Sequence, residues 1–177
     1  MTRTLLVLAV LALAVLAAWG MRRGWARRGE RQADLLVRFP DPPADPGPAL
    51  LGPLPGLYVG AVVAGDWQDR VAAQRLGLRA AGTFGVHEHG VLIERRGERS
   101  VWVPRAELAG VRTDRALAGK AMTTRGLLVL TWAQETPPPG ADHEPRAHPD
   151  IDLGFRADDP TPYPAVLAAL GTTEEDA

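Results

Sequence analysis

Apolar and polar positions follow two regimes along the chain. Thr4 to Met21 is apolar without a single charge. As a helix it spans about 27 Å at ~1.5 Å per residue, close to the ~30 Å of a bilayer's hydrocarbon core. This predicts one membrane anchor over residues 1–21, with everything after it polar enough for water. From Gly56 the pattern changes to short alternating runs. Leu57, Val59, Ala61 and Val63 alternate as a half-buried strand does. Asp66 can cap a short helix through Gln74, closed by Gly77. Leu78, Ala80, Gly82, Phe84 and Val86 share the face of a second strand. Val91–Arg95 and Arg99–Val103 pair around a tight turn at Gly97. Val111–Arg115 is a short strand, and Gly126–Trp132 is apolar on both faces, as a strand inside a sheet requires. Ile151, Leu153 and Phe155 alternate once more. Asp158–Leu170 reads as a terminal helix with prolines in its first turn and an apolar stripe of Val166, Leu167 and Leu170, ended by Gly171. Seven short strands and one helix predict a mainly β barrel or sandwich over 56–171, with the helix covering one open side.

Between anchor and domain, residues 22–55 divide in two. Arg22, Arg23, Arg27, Arg28 and Arg31 form a basic juxtamembrane cluster, and Pro40, Pro42, Pro43, Pro46, Pro48, Pro53 and Pro55 mark an extended linker. Thr136–Pro149 is a polar, proline-rich loop, and 172–177 is an acidic tail. Arginines massed directly after an apolar span are retained in the cytoplasm. The chain is thus read as a single-pass protein of the cell membrane, amino terminus outside and domain cytoplasmic. Trp19, Arg22, Arg23 and Trp25 are the expected membrane-interface residues, since amphipathic rings and basic side chains sit at the headgroups. The alternative is a cleaved secretory signal and a secreted domain.

Charge narrows the function classes. The 177 residues carry a formal net charge of −1, which argues against a nucleic-acid binder. Cysteine is absent and Ser100 is the only serine, without the glycine-flanked elbow of a catalytic serine. Ala118-Gly119-Lys120 lacks the rest of a phosphate loop. His87 and His89, two apart, would share a strand face and could grip one ion; without a third ligand in the sequence, a polar turn is the simpler reading. Trp102 should point opposite Val101 and Val103, either as an interface anchor or in sheet packing. No catalytic residue, cofactor or metal ligand is expected.

Several motifs carry a resemblance. Gly65-Asp66-Trp67, Asp69-Arg70-Val71, Gly90-Val91-Leu92-Ile93-Glu94-Arg95, Val103-Pro104, Ala118-Gly119-Lys120, Gly126-Leu127-Leu128-Val129, Thr131-Trp132 and Gly154-Phe155-Arg156 resemble the actinobacterial PH-like-domain membrane proteins. Those have one amino-terminal span and a domain of unknown role, and some carry a transporter label. The resemblance implies a PH-like fold and a binding or scaffolding module without catalysis, held to the bilayer by its anchor and engaging a protein partner. It also makes Arg95, Arg96 and Arg99 candidate contacts for an acidic headgroup or partner, with Trp102 beside them. The alternatives are a metal-dependent sensor or enzyme using His87 and His89, and an accessory subunit of a transporter.

Overall fold

An uninterrupted run of apolar helix formers makes the first element, α1 (Thr2–Ala33), a single helix that continues through the arginines. The computed structural model describes residues 2–33, 40–66, 68–118, 120–121, 126–134 and 149–171. Within α1, Leu6–Gly24 has a mean hydropathy of 1.8 and is long and apolar enough to cross a membrane. Leu6, Leu8, Leu11, Leu13 and Leu16 are all exposed, so the domain does not cover this stretch.

The strands are β1 (Ala49–Val63), β2 (Ala80–His87), β3 (Gly90–Arg95), β4 (Val101–Pro104), β5 (Leu108–Asp114), β6 (Ala116–Leu117), β7 (Lys120–Ala121), β8 (Leu127–Trp132) and β9 (Ile151–Ala157). Seven form one antiparallel sheet in the order β4-β3-β2-β1-β9-β8-β5, and β6 and β7 pair separately as a small arm. The long β1 joins two halves. Its first part pairs with β2 from Ala49 to Tyr58, its second with β9 from Gly56 to Val63. Register shifts at 49–51, 51–54 and 58–60 bend it, as bulges do.

The two halves face each other across the main core. Phe84, Val86, Val91, Ile93, Val101 and Val103 of one meet Leu128, Leu130, Trp132, Ile151, Leu153 and Phe155 of the other. Phe84 and Phe155 stack tilted at 5.5 Å between ring centroids. α2 (Tyr163–Leu170) joins this core through Tyr163, Val166 and Leu170, and Arg105 donates to the Ala169 carbonyl at 2.6 Å. A second, smaller cluster lies on the opposite face of β1, β8 and β9: Val59, Val62, Leu117, Ala118, Leu127 and Val129. Both faces of β8 are therefore buried. At Gly154 a Cβ would come within 2.2 Å of Leu117 Cδ2, so any larger residue there would have to displace the Leu117 side chain of the β6–β7 arm.

Three expectations change. The sheet begins at Ala49, seven residues before Gly56, so the end of the proline-rich linker is a strand. Pro53 falls in the bulge between Leu51 and Leu54, and Pro55 lies before the pairing to β9 begins; neither position asks a proline for a ladder hydrogen bond. The helix expected from Asp66 does not form. Asp66 Oδ1 instead accepts from the Gln68 and Asp69 N–H groups in a turn, and the chain makes only a 3-10 turn at Ala73–Arg75. Val71, Ala72, Ala73 and Leu76 are all buried, and Gln74 and Arg75 turn into left-handed backbone, which a right-handed helix cannot contain. The terminal helix is shorter than Asp158–Leu170, because Asp159 Oδ1 takes the Thr161 N–H in a turn and Pro162 sits at the cap. Trp67, residues 136–148 of the polar loop, and the acidic tail lie outside the described residues.

Candidate functional site

The β3–β4 hairpin places the arginines singled out by sequence on opposite sides of the sheet. Arg95 follows Val91 and Ile93 on the inward face and is only 5% exposed. Its guanidinium lies 5.0 Å from the centroid of the Tyr58 ring, donates from Nε to Arg99 O at 2.9 Å and from Nη1 to Arg75 O at 3.1 Å. Burial pulls its pKa below the usual arginine value, opposed by Tyr58 and Glu98. Burial likewise pushes the Tyr58 phenol far above its ordinary value. Arg95 is thus a structural clamp with no face toward a ligand. Trp102 is 4% exposed, so it is not an open interface anchor either.

The clamp serves an unusual turn. Gln74 and Arg75 both have left-handed backbones, φ 51° and 57°, a conformation that costs on the order of 1–3 kcal/mol for a non-glycine residue. Three buried or half-buried donors hold successive carbonyls there. Arg95 takes Arg75 O, the Tyr58 hydroxyl takes Leu76 O at 2.8 Å, and Arg70 Nη1 takes Gly77 O at 2.8 Å. Arg70 Nη2 also donates to Ala118 O at 2.6 Å, and Ala118 is itself left-handed, φ 52°. Outside, Arg75 and Glu98 form a two-point ion pair at 2.5 and 2.7 Å, which raises the Arg75 pKa and lowers that of Glu98. Arg70 appears in the sequence as part of Asp69-Arg70-Val71, but nothing in its spacing announces the clamp.

Arg96 is exposed. It lies across from Ala81 through its N–H to Ala81 O, and Ala81, Leu57 and Arg156 continue the same row across β2, β1 and β9. Arg79, just before β2, and Arg156 are exposed too. Among the described residues, none of the three has a carboxylate within ion-pair distance. Arg99, next along the hairpin, pairs with Asp41. Opposite this end, the arm-covered half holds another polar group missed in the sequence: Asp152, almost wholly buried, takes Arg112 Nη2 at 2.7 Å and the Thr131 hydroxyl at 2.7 Å.

The histidines are separated in role. His87 Nδ1 lies 3.2 Å from the Gly47 carbonyl, and its ring is 6.3 Å from that of Trp102; His89 is exposed in the turn. Among the described residues no three His, Cys, Asp or Glu side chains gather as a metal site needs. A shallow groove of about 220 Å³ beside His87 is lined by Leu51, Thr83, Gly85, Leu92 and Glu94 among others. On α1, Trp19, Arg22 and Arg23 are exposed, with the Arg23 guanidinium 5.5 Å over the Trp19 ring. Trp25 lies on the same helix.

These features form a curved sheet with a terminal helix, arginines at one end, and no catalytic grouping among the described residues. No curated protein and no solved structure matches the chain. A family model, described as bacterial PH domain-like, matches residues 36–171 and so takes in the whole sheet, α2 and the proline-rich segment. The chain belongs to the bacterial PH domain-like family.

Proposed function

We propose that this chain is a single-pass membrane protein whose PH-like domain is a non-catalytic binding or scaffolding module at the cytoplasmic surface. PH-like domains are typically non-catalytic and bind lipids or proteins. The observation that carries the reading is the short path between helix and sheet. Residues 34–39 separate the end of α1 from Pro40, and Asp41 is already paired with Arg99 on the β3–β4 hairpin. The eight residue steps from Ala33 to Asp41 reach at most about 29 Å, and α1 also runs close to the Ala73–Arg75 turn. The end of the domain bearing Arg79, Arg96, Arg99 and Arg156 therefore faces the bilayer that Trp19, Arg22, Arg23 and Trp25 border. Arginines within a Debye length of an anionic leaflet contribute about 1 kcal/mol each. A protein partner would be held on the remaining surface.

The arginine excess after the span sets the orientation. A reporter active only in the cytoplasm, fused after Ala177, is expected to work, and activity of an exported-only reporter would reverse the topology. In vesicles holding the full chain and a photoactivatable anionic lipid, Arg96→Glu with Arg156→Glu is expected to reduce domain–lipid crosslinks severalfold. Unchanged crosslinking would remove the arginine end from the reading.

A further inference from the structure

Trp102 poses a question of cover. Val101 and Val103 point into the main core, so Trp102 points out, on an edge strand, opposite Leu92 of β3. An outward tryptophan on an edge is ordinarily open, yet this one is 4% exposed. The sheet supplies one side of its surroundings: a Cβ at Gly90 would meet the Val103 carbonyl at 2.3 Å and the indole at 2.8 Å, so the ring lies close over β3 where glycine leaves room. The other side must come from elsewhere.

The proline-rich segment has the anchors and the length to supply it. Two anchors fix its course: Asp41 on Arg99 at the start of β4, and the Gly47 carbonyl on His87 at the end of β2. Pro48 O also accepts from the Glu88 N–H at 3.1 Å. In register, Pro104 faces Gly90 and Gly90 faces His87. From Arg99 to His87 is therefore five steps along the strands at ~3.3 Å and two strand spacings of ~4.8 Å, a diagonal of about 19 Å. Six polyproline steps from Asp41 to Gly47, at ~3.1 Å, also give about 19 Å. The segment Asp41-Pro42-Pro43-Ala44-Asp45-Pro46-Gly47 thus has the length to cross the outer face fully extended, and its middle passes the level of Leu92 and Trp102. Pro42 and Pro46 are half-buried while Pro43, Ala44 and Asp45 are exposed, as expected of a segment laid on a surface rather than threaded into a core.

We propose that the outer face of β2–β4 around Trp102 is a binding surface for an extended proline-rich segment. The chain's own residues 41–47 fill it in cis, and a proline-rich segment of a partner takes it when they leave. Prolines on an aromatic floor lose little chain entropy on docking, which is how polyproline segments are recognised generally. The end anchors add direction: Arg99 takes an acidic residue at one end, and His87 a backbone carbonyl at the other. The groove of about 220 Å³ along Leu51, Gly85 and Leu92 gives a longer segment room for further side chains. Because Pro40 is so close to α1, release of residues 41–47 would also lengthen the tether between bilayer and sheet. The proposal names a partner for the binding-module reading and rests on it; its failure would leave the topology and lipid tests untouched.

The test uses the full chain in lipid nanodiscs with residues 41–46 replaced by a Gly/Ser run of equal length. Hydroxyl-radical footprinting, read by mass spectrometry, follows Trp102, with the core residue Trp132 as the folding control. Trp102 oxidation is expected to rise at least fivefold while Trp132 stays flat. A synthetic peptide of residues 40–48 at millimolar concentration should restore protection, and the same peptide with Pro42, Pro43 and Pro46 changed to alanine should not. Unchanged Trp102, failure of the first peptide, or equal rescue by the second would each overturn the proposal. If Trp132 also becomes reactive, the measurement moves to Pro42→Ala with Pro46→Ala in the otherwise intact chain. There a twofold rise at Trp102 alone is expected, and no rise overturns it.

Discussion

The outer faces of the two sheet halves are covered in different ways. On β1, β8 and β9 the cover is apolar and local: Leu117 of the arm packs on Gly154 and beside Val129, forming a second cluster continuous with the sheet. On β2–β4 the cover is the segment before β1, with a surface ion pair at one end and a histidine–carbonyl contact at the other. The first cover takes apolar area out of water at about 25 cal/mol per Å². The second is held by groups that water satisfies nearly as well. The first half should therefore be inseparable from the fold, and the second half able to lose its cover and stay folded.

The strongest test of the first half is Val129→Asp. Val129 is wholly buried on the outer face of β8, so the change buries an unpaired carboxylate, costing upwards of about 4 kcal/mol. Loss of the cooperative thermal transition by circular dichroism is expected. A folded variant would mean that the arm lifts as readily as the proline-rich segment. Leu117→Ala is milder. It empties the space above Gly154 and should cost about 2–4 kcal/mol by chemical denaturation, as truncation of a buried leucine does.

The same contrast separates what the sequence makes legible from what it does not. β8 can be read because Gly126–Trp132 is apolar on both faces, and the position of Trp102 follows from alternation with Val101 and Val103. Alternation also places Arg95 with Val91 and Ile93, yet residue type argues for the surface, and only the Tyr58 ring and two carbonyls explain its burial. Arg96, one residue on, is where residue type and position agree. Ala49–Pro55 reads as linker because two prolines oppose a strand; the bulge and the one-sided pairing that admit them are tertiary facts. The left-handed pair Gln74-Arg75 has no local signature, since neither residue is glycine or asparagine.

Alkaline pH probes the inner face shared by both halves. Burial raises the pKa of Tyr58 and, less strongly, of Tyr163, whose backbone hydrogen bond with Ala157 opposes the shift. The folded state keeps these phenols protonated while the unfolded chain releases them near pH 10. Their contribution is full below that pH and is lost as pH rises, approaching about 1.4 kcal/mol per unit for Tyr58 once the unfolded phenol is ionised, with Tyr163 adding less. Denaturant midpoints should fall between pH 10 and 11, and Tyr58→Phe should flatten the slope while costing about 1 kcal/mol at neutral pH for the lost bond to Leu76 O. An unchanged alkaline slope in that variant would mean that water reaches the inner face.

The smallest effect is expected where the comparison is most exposed to failure. Asp41 and Arg99 pair across a solvated surface, with Asp41 the more open partner. Such pairs contribute about 0–1 kcal/mol because both ions are well hydrated and the side chains lose entropy when fixed. Asp41→Ala should therefore shift the thermal or denaturant midpoint by no more than that, and raised salt should shrink the difference between the parent chain and the variant. The geometry predicts a second consequence that stability alone does not register. With one anchor gone, the segment keeps only its Gly47 end, so amide exchange should quicken across β4 while β8 and β9 keep their protection. A loss of 2 kcal/mol or more, spread evenly over the sheet, would show that residues 41–47 are part of the core's support. The two halves would then be sealed alike, and the Trp102 face would not be available to a partner.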